Sequence, residues 1–85
     1  MSVKLLYFAW VREKAGRAEE IIDLPRQVET VADLIGWMGT RGEQFRSAFE
    51  RPDVIRVAID QRHVKHDAKV AGAREIAFFP PVTGG

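Results

Sequence analysis

Two residues without side chains, Gly84 and Gly85, close the sequence, and Pro80, Pro81, Val82 and Thr83 precede them. With no Cβ, such a pair threads a channel too narrow for other residues and takes backbone angles closed to them. Prolines cannot donate to a sheet ladder and restrict the residue before them, so strand pairing must end at Pro80 and the chain continue extended. The four residues beyond the prolines then reach on the order of 13 Å. The chemistry open to such an end is that of the Gly85 carboxylate. A carboxylate is a poor electrophile, whereas transfer of AMP from ATP gives an acyl-adenylate with a good leaving group. An 85-residue chain can bury one core but has little room for an elaborate cleft, so the activating pocket must belong to a partner. The expectation is one domain, 1–85, with a flexible tail over 80–85 that inserts its end into other proteins.

Other reactive constellations are weak. The sequence has no cysteine, which excludes disulfides, thiolate metal sites, a cysteine nucleophile and sulfur carried as a cysteine persulfide. His63 and His66 have an H-x-x-H spacing, but no third ligand or helical face accompanies them, so no metal is expected. Gly36, Gly39 and Gly42 lack the following Lys-Ser/Thr of a phosphate loop and read as helix terminators. Thirteen basic against twelve acidic side chains leave a net charge of +1, which gives no bulk attraction to nucleic acid or an anionic membrane. Recognition must therefore be local. Neither a signal peptide nor a membrane-length apolar run is apparent, and the cytoplasm is the expected compartment.

The elements that must position the tail follow from periodicity. Val3 to Val11 is an apolar run rich in β-branched and aromatic residues, predicting a central strand. Glu19 to Leu24 alternates, with Glu20, Ile22 and Leu24 on one face, and the two segments form a hairpin with its turn around Arg12 to Gly16. Thr30 opens a helix-capping signature followed by Val31, Leu34, Ile35 and Met38 at helical spacing. Phe45, Ala48 and Phe49 predict a second short helix, a satellite to the core, that stops before Pro52. Val54 to Asp60 alternates as a strand, Gln61 to Lys65 reads as its hairpin return, and Arg74 to Phe79 as the last strand, entered through a turn at Gly72.

This order, β-β-α-(α)-β-β-β with one main helix against a mixed sheet, is that of the ubiquitin-like β-grasp, an α+β fold whose first and last strands are parallel neighbours at the sheet centre. A ferredoxin-like arrangement has a similar strand count, but only one long helix is apparent. In the first strand Lys4 marks Leu6, Phe8 and Trp10 as outward, and Glu75 does the same for Ala77 and Phe79 in the last. Parallel pairing then gathers Leu6, Phe8 and Phe79 into an exposed apolar patch at the root of the tail, a docking surface for a partner. Arg12 is a further candidate contact there, although an Arg-Glu pair at a strand end more often marks a solvated turn.

The closing octapeptide FFPPVTGG and the opening segment YFAWVREKAG resemble the small subunit of molybdopterin synthase, the MoaD family. The resemblance implies that Gly85 is adenylated by a ubiquitin-activating-like adenylyltransferase using ATP and magnesium, and is then converted to a thiocarboxylate by a sulfurtransferase. It further implies that the tail from Pro80 through Gly84 inserts into the large subunit of a heterotetrameric synthase. There the thiocarboxylate attacks cyclic pyranopterin monophosphate, and two deliveries build the molybdopterin dithiolene. No cofactor is then bound by this chain, and its lack of cysteine is consistent with sulfur held at the terminal carbonyl. The alternatives are a sulfur carrier of thiamine or cysteine biosynthesis, a ubiquitin-like modifier of target lysines, or a β-grasp interaction module with an inert tail.

Overall fold

The computed structural model describes residues 2–81; Met1 and residues 82–85 lie outside the described part. The first strand, β1 (Ser2–Tyr7), buries Val3, Leu5 and Tyr7 and turns Lys4 and Leu6 the other way, the alternation that its sequence predicts. It pairs antiparallel with β2 (Glu19–Asp23) and parallel with β5 (Glu75–Phe79). On the far side of β5 lies β3 (Arg56–Ile59), followed by β4 (Arg62–Val64), giving the order β2-β1-β5-β3-β4. The first and last strands are thus parallel neighbours in the middle of a mixed sheet, as the β-grasp topology requires.

One expectation fails at the end of β1. The apolar run does not continue as a strand to Val11, and no tight turn lies at Arg12 to Gly16. Instead the strand stops at Tyr7 and Ala9–Ala15 form a helix, α1, which connects the antiparallel strands. Val11 and Ala15, one turn apart, are buried, while Arg12, Glu13 and Lys14 between them are exposed. Gly16 ends the helix at φ 80°, and its N–H reaches the Arg12 carbonyl, a left-handed cap that suits glycine. The junction carries strain, since Ala9 sits at φ 53° with a Cβ to accommodate. Trp10 is accordingly not on the outer sheet face. It lies on α1, half-buried under the Lys14 ammonium, and lines a cleft of about 330 Å³ with Ser47, Ala48 and Val54.

Helix α2 (Val31–Met38) begins with a full capping box. The Thr30 hydroxyl accepts from the Asp33 N–H, and the Asp33 carboxylate accepts from the N–H groups of Glu29 and Thr30, which holds its pKa below the usual value. Its buried stripe is Val31, Leu34, Ile35 and Met38. Helix α3 (Glu43–Phe49) is more than a satellite. Phe45 and Phe49 meet Tyr7 with ring centroids 6.4 and 6.5 Å apart, and Phe49 packs edge-on to Phe78 at 5.0 Å, so α3 roofs the two central strands. A 3₁₀ turn at Pro52–Val54 takes the start of the expected third strand. Between β3 and β4, Asp60 and Gln61 both have positive φ, as a two-residue hairpin turn of primed type demands. The Asp60 carboxylate also accepts from the N–H groups of Arg74 and Glu75, fixing where β5 begins.

At the margin of the core the Tyr7 hydroxyl meets a part-buried polar clasp. The Tyr7 hydroxyl donates to Glu20 at 2.6 Å, and both ends of the Arg41 guanidinium reach the same carboxylate at 2.9 Å. Arg41 lies over the Phe45 ring, 4.4 Å from its centroid. The Arg41 hydrogen bonds, followed by that from Tyr7, lower the Glu20 pKa to about 2 despite partial desolvation, whereas burial and the adjacent carboxylate push the Tyr7 phenol up.

Candidate functional site

The helices cover one face of the sheet and leave the other open. On the open face the register sets out rows of side chains. Leu6 stands beside Ala77, Ala77 beside Ala58, and Ala58 beside His63. Two residues further along each strand, Phe79 stands beside Arg56, and the Phe8 N–H bonds the Phe78 carbonyl at 3.1 Å, which continues the β1–β5 pairing and brings Phe8 alongside Phe79. Phe8 is 47 % exposed, while Leu6 and Phe79 are half-buried. The predicted facing of both central strands therefore holds, and Leu6, Phe8 and Phe79 share one surface. Pro80 and Pro81 follow directly, so the patch lies where the chain leaves β5 toward its last residues. Val82, Thr83, Gly84 and Gly85, to which the tail and the terminal chemistry were assigned, lie outside the described residues.

Arg12 reaches this region by a route the sequence reading did not foresee. Its N–H bonds the Phe8 carbonyl at 3.3 Å, so the helix places it one turn beyond Phe8, with an exposed side chain. Sequence reasoning missed two residues of the open face. His63, whose spacing to His66 suggests only a metal ligand, packs its ring on Phe79 with centroids 5.1 Å apart. Its former partner His66 turns elsewhere, with Nε2 2.8 Å from the Ile55 carbonyl oxygen. Ile21, opposite Lys4 on β2, is 71 % exposed. The signal for Ile21 was available in the alternation of β2, where Glu20, Ile22 and Leu24 claim the inner face and leave Ile21 outside. Lys4 also pairs with Glu19 across the strands at 2.9 Å, which raises its pKa.

Such a face is apolar at its centre, where Leu6, Ala77 and Ala58 lie side by side, and it is backed by the buried core. Among the described residues no group of His, Asp and Glu is arranged to hold a metal ion.

Known proteins agree with this geometry. The molybdopterin synthase sulfur carrier subunit of Escherichia coli is 36% identical over 85 residues, covering 98% of this chain and 99% of that protein. A solved structure of a candidate molybdopterin converting factor subunit 1 from Pyrococcus furiosus superposes with a TM-score of 0.73 at 33% identity, over 96% of this chain and 99% of the other. SAMP1 of Haloferax volcanii, 26% identical, covers both chains completely with a TM-score of 0.69. The family model described as the ThiS family matches residues 5–85, reaching from β1 through the closing glycines, and the chain belongs to that family.

Proposed function

We propose that this chain is the sulfur carrier subunit of a molybdopterin synthase. In this reading a ubiquitin-activating-like enzyme uses ATP and magnesium to adenylate Gly85, and a persulfide on a sulfurtransferase displaces AMP to give an acyl disulfide. A thiol reductant then cleaves that S–S bond to leave a thiocarboxylate, itself leaving as a disulfide. The tail from Pro80 to Gly85 enters the large subunit, where the sulfur passes to cyclic pyranopterin monophosphate. A thiocarboxylate is ionised at neutral pH and its sulfur is a soft nucleophile, so the carrier needs no acid, base or metal of its own. Leu6, Phe8, Phe79 and Arg12 serve as the docking contacts that hold the tail root at the mouth of the partner's pocket.

The observation that carries this reading is the likeness over nearly the whole chain to a protein named as a molybdopterin synthase sulfur carrier subunit, beside a family match that runs to Gly85. The exposed Phe8 beside Phe79 and Pro80 supports it, because a carrier must dock at the place from which its tail departs. Likeness to SAMP1, a small archaeal modifier protein, favours a second reading in which Gly85 is joined to lysines of target proteins. Intact-mass spectrometry after incubation with ATP, activating enzyme and a sulfur source separates the two. Replacement of one oxygen by sulfur on Gly85 is the expected result; an isopeptide adduct supports the modifier, and an unchanged mass overturns both.

A further inference from the structure

Across the end of the sheet where the chain leaves β5, the row of residues runs Phe8, Phe79, Arg56 and then Lys65. Phe79 stands beside Arg56 on β3, and the β3–β4 register, with Val57 opposite Val64, continues to Arg56 opposite Lys65. One pair further on, His66 Nε2 lies 2.8 Å from the Ile55 carbonyl oxygen, so the two segments stay alongside one another there. Arg56 and Lys65 are both exposed. Alternation along the two segments turns them to the open face, with Ala58 and His63.

Like charges directly opposite one another on paired strands are destabilising, and an anion placed against both relieves the cost. Among the described residues neither Arg56 nor Lys65 forms an ion pair. Of the acids near them in sequence, Asp53 is held by Arg51 at 3.2 Å, and Asp67 makes no ion pair with Lys65. The acids of the strands are engaged elsewhere: Glu19 with Lys4 at 2.9 Å, Glu20 with Arg41, and Asp60 with the N–H groups of Arg74 and Glu75. Glu75 stands beside Lys4, about 13 Å back along β5 from Phe79. The apolar strip of Phe8 and Phe79 therefore ends in a cationic pair that the described residues leave without a counter-charge.

We infer that the protein receiving the tail sets an apolar residue on Phe8 and Phe79 and, next to it, carboxylates on Arg56 and Lys65. This rests on the docking role proposed for the face. A small anion or a nucleic acid would satisfy the cations but leave the exposed Phe8 uncovered, whereas an acidic and apolar protein surface meets both. A second copy of the chain is a poor match, because the acids of its own open face, Glu19 and Glu75, already attend Lys4. Charges at the rim of an interface act chiefly on encounter and on the choice of partner, so the pair selects which protein takes the tail.

The test is calorimetry of the full chain with the large synthase subunit at about 50 mM and about 500 mM salt. Arg56→Glu should weaken binding about thirtyfold at the lower salt and only about threefold at the higher, and Lys65→Glu should act in the same way. Arg26→Glu makes the same change of net charge beside Ser2 and Gly72, at the opposite end of the sheet, and should stay within about twofold. Each of the first two replacements creates a cross-strand ion pair with the cation that remains, so its urea midpoint should equal or exceed that of the unaltered chain, which separates lost recognition from lost folding. Unaltered affinity in both variants, equal losses at the two salts, or an equal loss with Arg26→Glu overturns the inference alone. So does displacement of the subunit by about 10 mM inorganic phosphate at fixed ionic strength, or a salt-sensitive dimer of the chain by itself. Failure of the unaltered chain to bind the subunit overturns the docking reading and this inference together.

Discussion

Replacing Glu20 by glutamine removes the charge at the centre of the clasp that joins β1, β2 and the segment after α2. The carboxylate takes two guanidinium hydrogen bonds at 2.9 Å and the Tyr7 hydroxyl at 2.6 Å, with its side chain only 12% exposed. Its pKa falls from an ordinary 4.5 to about 2 in the folded protein, which corresponds to a preference of about 3 kcal/mol for the ionised form. Because the folded value lies below the unfolded one, that stabilisation is complete above about pH 4.5 and drains away as the pH falls toward 2. Glutamine keeps an acceptor for Tyr7 but not the ion pair, so Glu20→Gln should cost about 2–3 kcal/mol at neutral pH. For a chain this short the melting temperature should drop by about 10–15 °C. Urea unfolding monitored by tryptophan fluorescence from neutral pH to pH 2 reads both effects. The stability curves of the two proteins should converge in acid; curves that stay parallel down to pH 2, or a neutral-pH difference under about 0.5 kcal/mol, would refute the assignment of this stability to an ionised Glu20.

Two further outcomes bear on the docking face and on the helix that backs the sheet. Phe8→Asp or Phe79→Ala should weaken binding to the large synthase subunit by about 2 kcal/mol, close to thirtyfold, with circular dichroism unchanged; calorimetry showing wild-type affinity for both would remove the face from the interface. Thr30→Ala deletes the hydroxyl that accepts from the Asp33 N–H and should lower stability by about 1 kcal/mol in urea unfolding, whereas a neutral result would mean the capping box contributes nothing measurable.

Much of this architecture is legible in the residues because burial and periodicity agree. Alternation in β1 and β5 assigns the buried Val3, Leu5, Tyr7, Ile76 and Phe78 and, by elimination, the outward Leu6, Phe8 and Phe79. The capping box and its stripe locate α2 to within a residue. Helix α1 was hidden because it follows an apolar strand without a polar break and, at seven residues, offers only the Val11 and Ala15 pair as a helical repeat. Charged Arg12, Glu13 and Lys14 ahead of Gly16 were the better guide, since exposed helix formers before a glycine mark a helix end. The clasp could not be read at all. Glu20 and Arg41 are 21 positions apart, and nothing local distinguishes them from other exposed charges until the strands pair. His63 was judged by the company it keeps in sequence, whereas its neighbour in space is Phe79.

The proposed function stands or falls on whether Gly85 carries sulfur and surrenders it. The most direct measurement follows the intact mass of the chain through one cycle, first charged by the activating enzyme and sulfurtransferase, then mixed with the large subunit and cyclic pyranopterin monophosphate. Gain of one sulfur for one oxygen at Gly85, then its loss in step with dithiolene formation, is expected, with neither change in a chain lacking Gly85. Dithiolene formed while the sulfur stays on Gly85, or sulfuration retained after Gly85 is deleted, would contradict it.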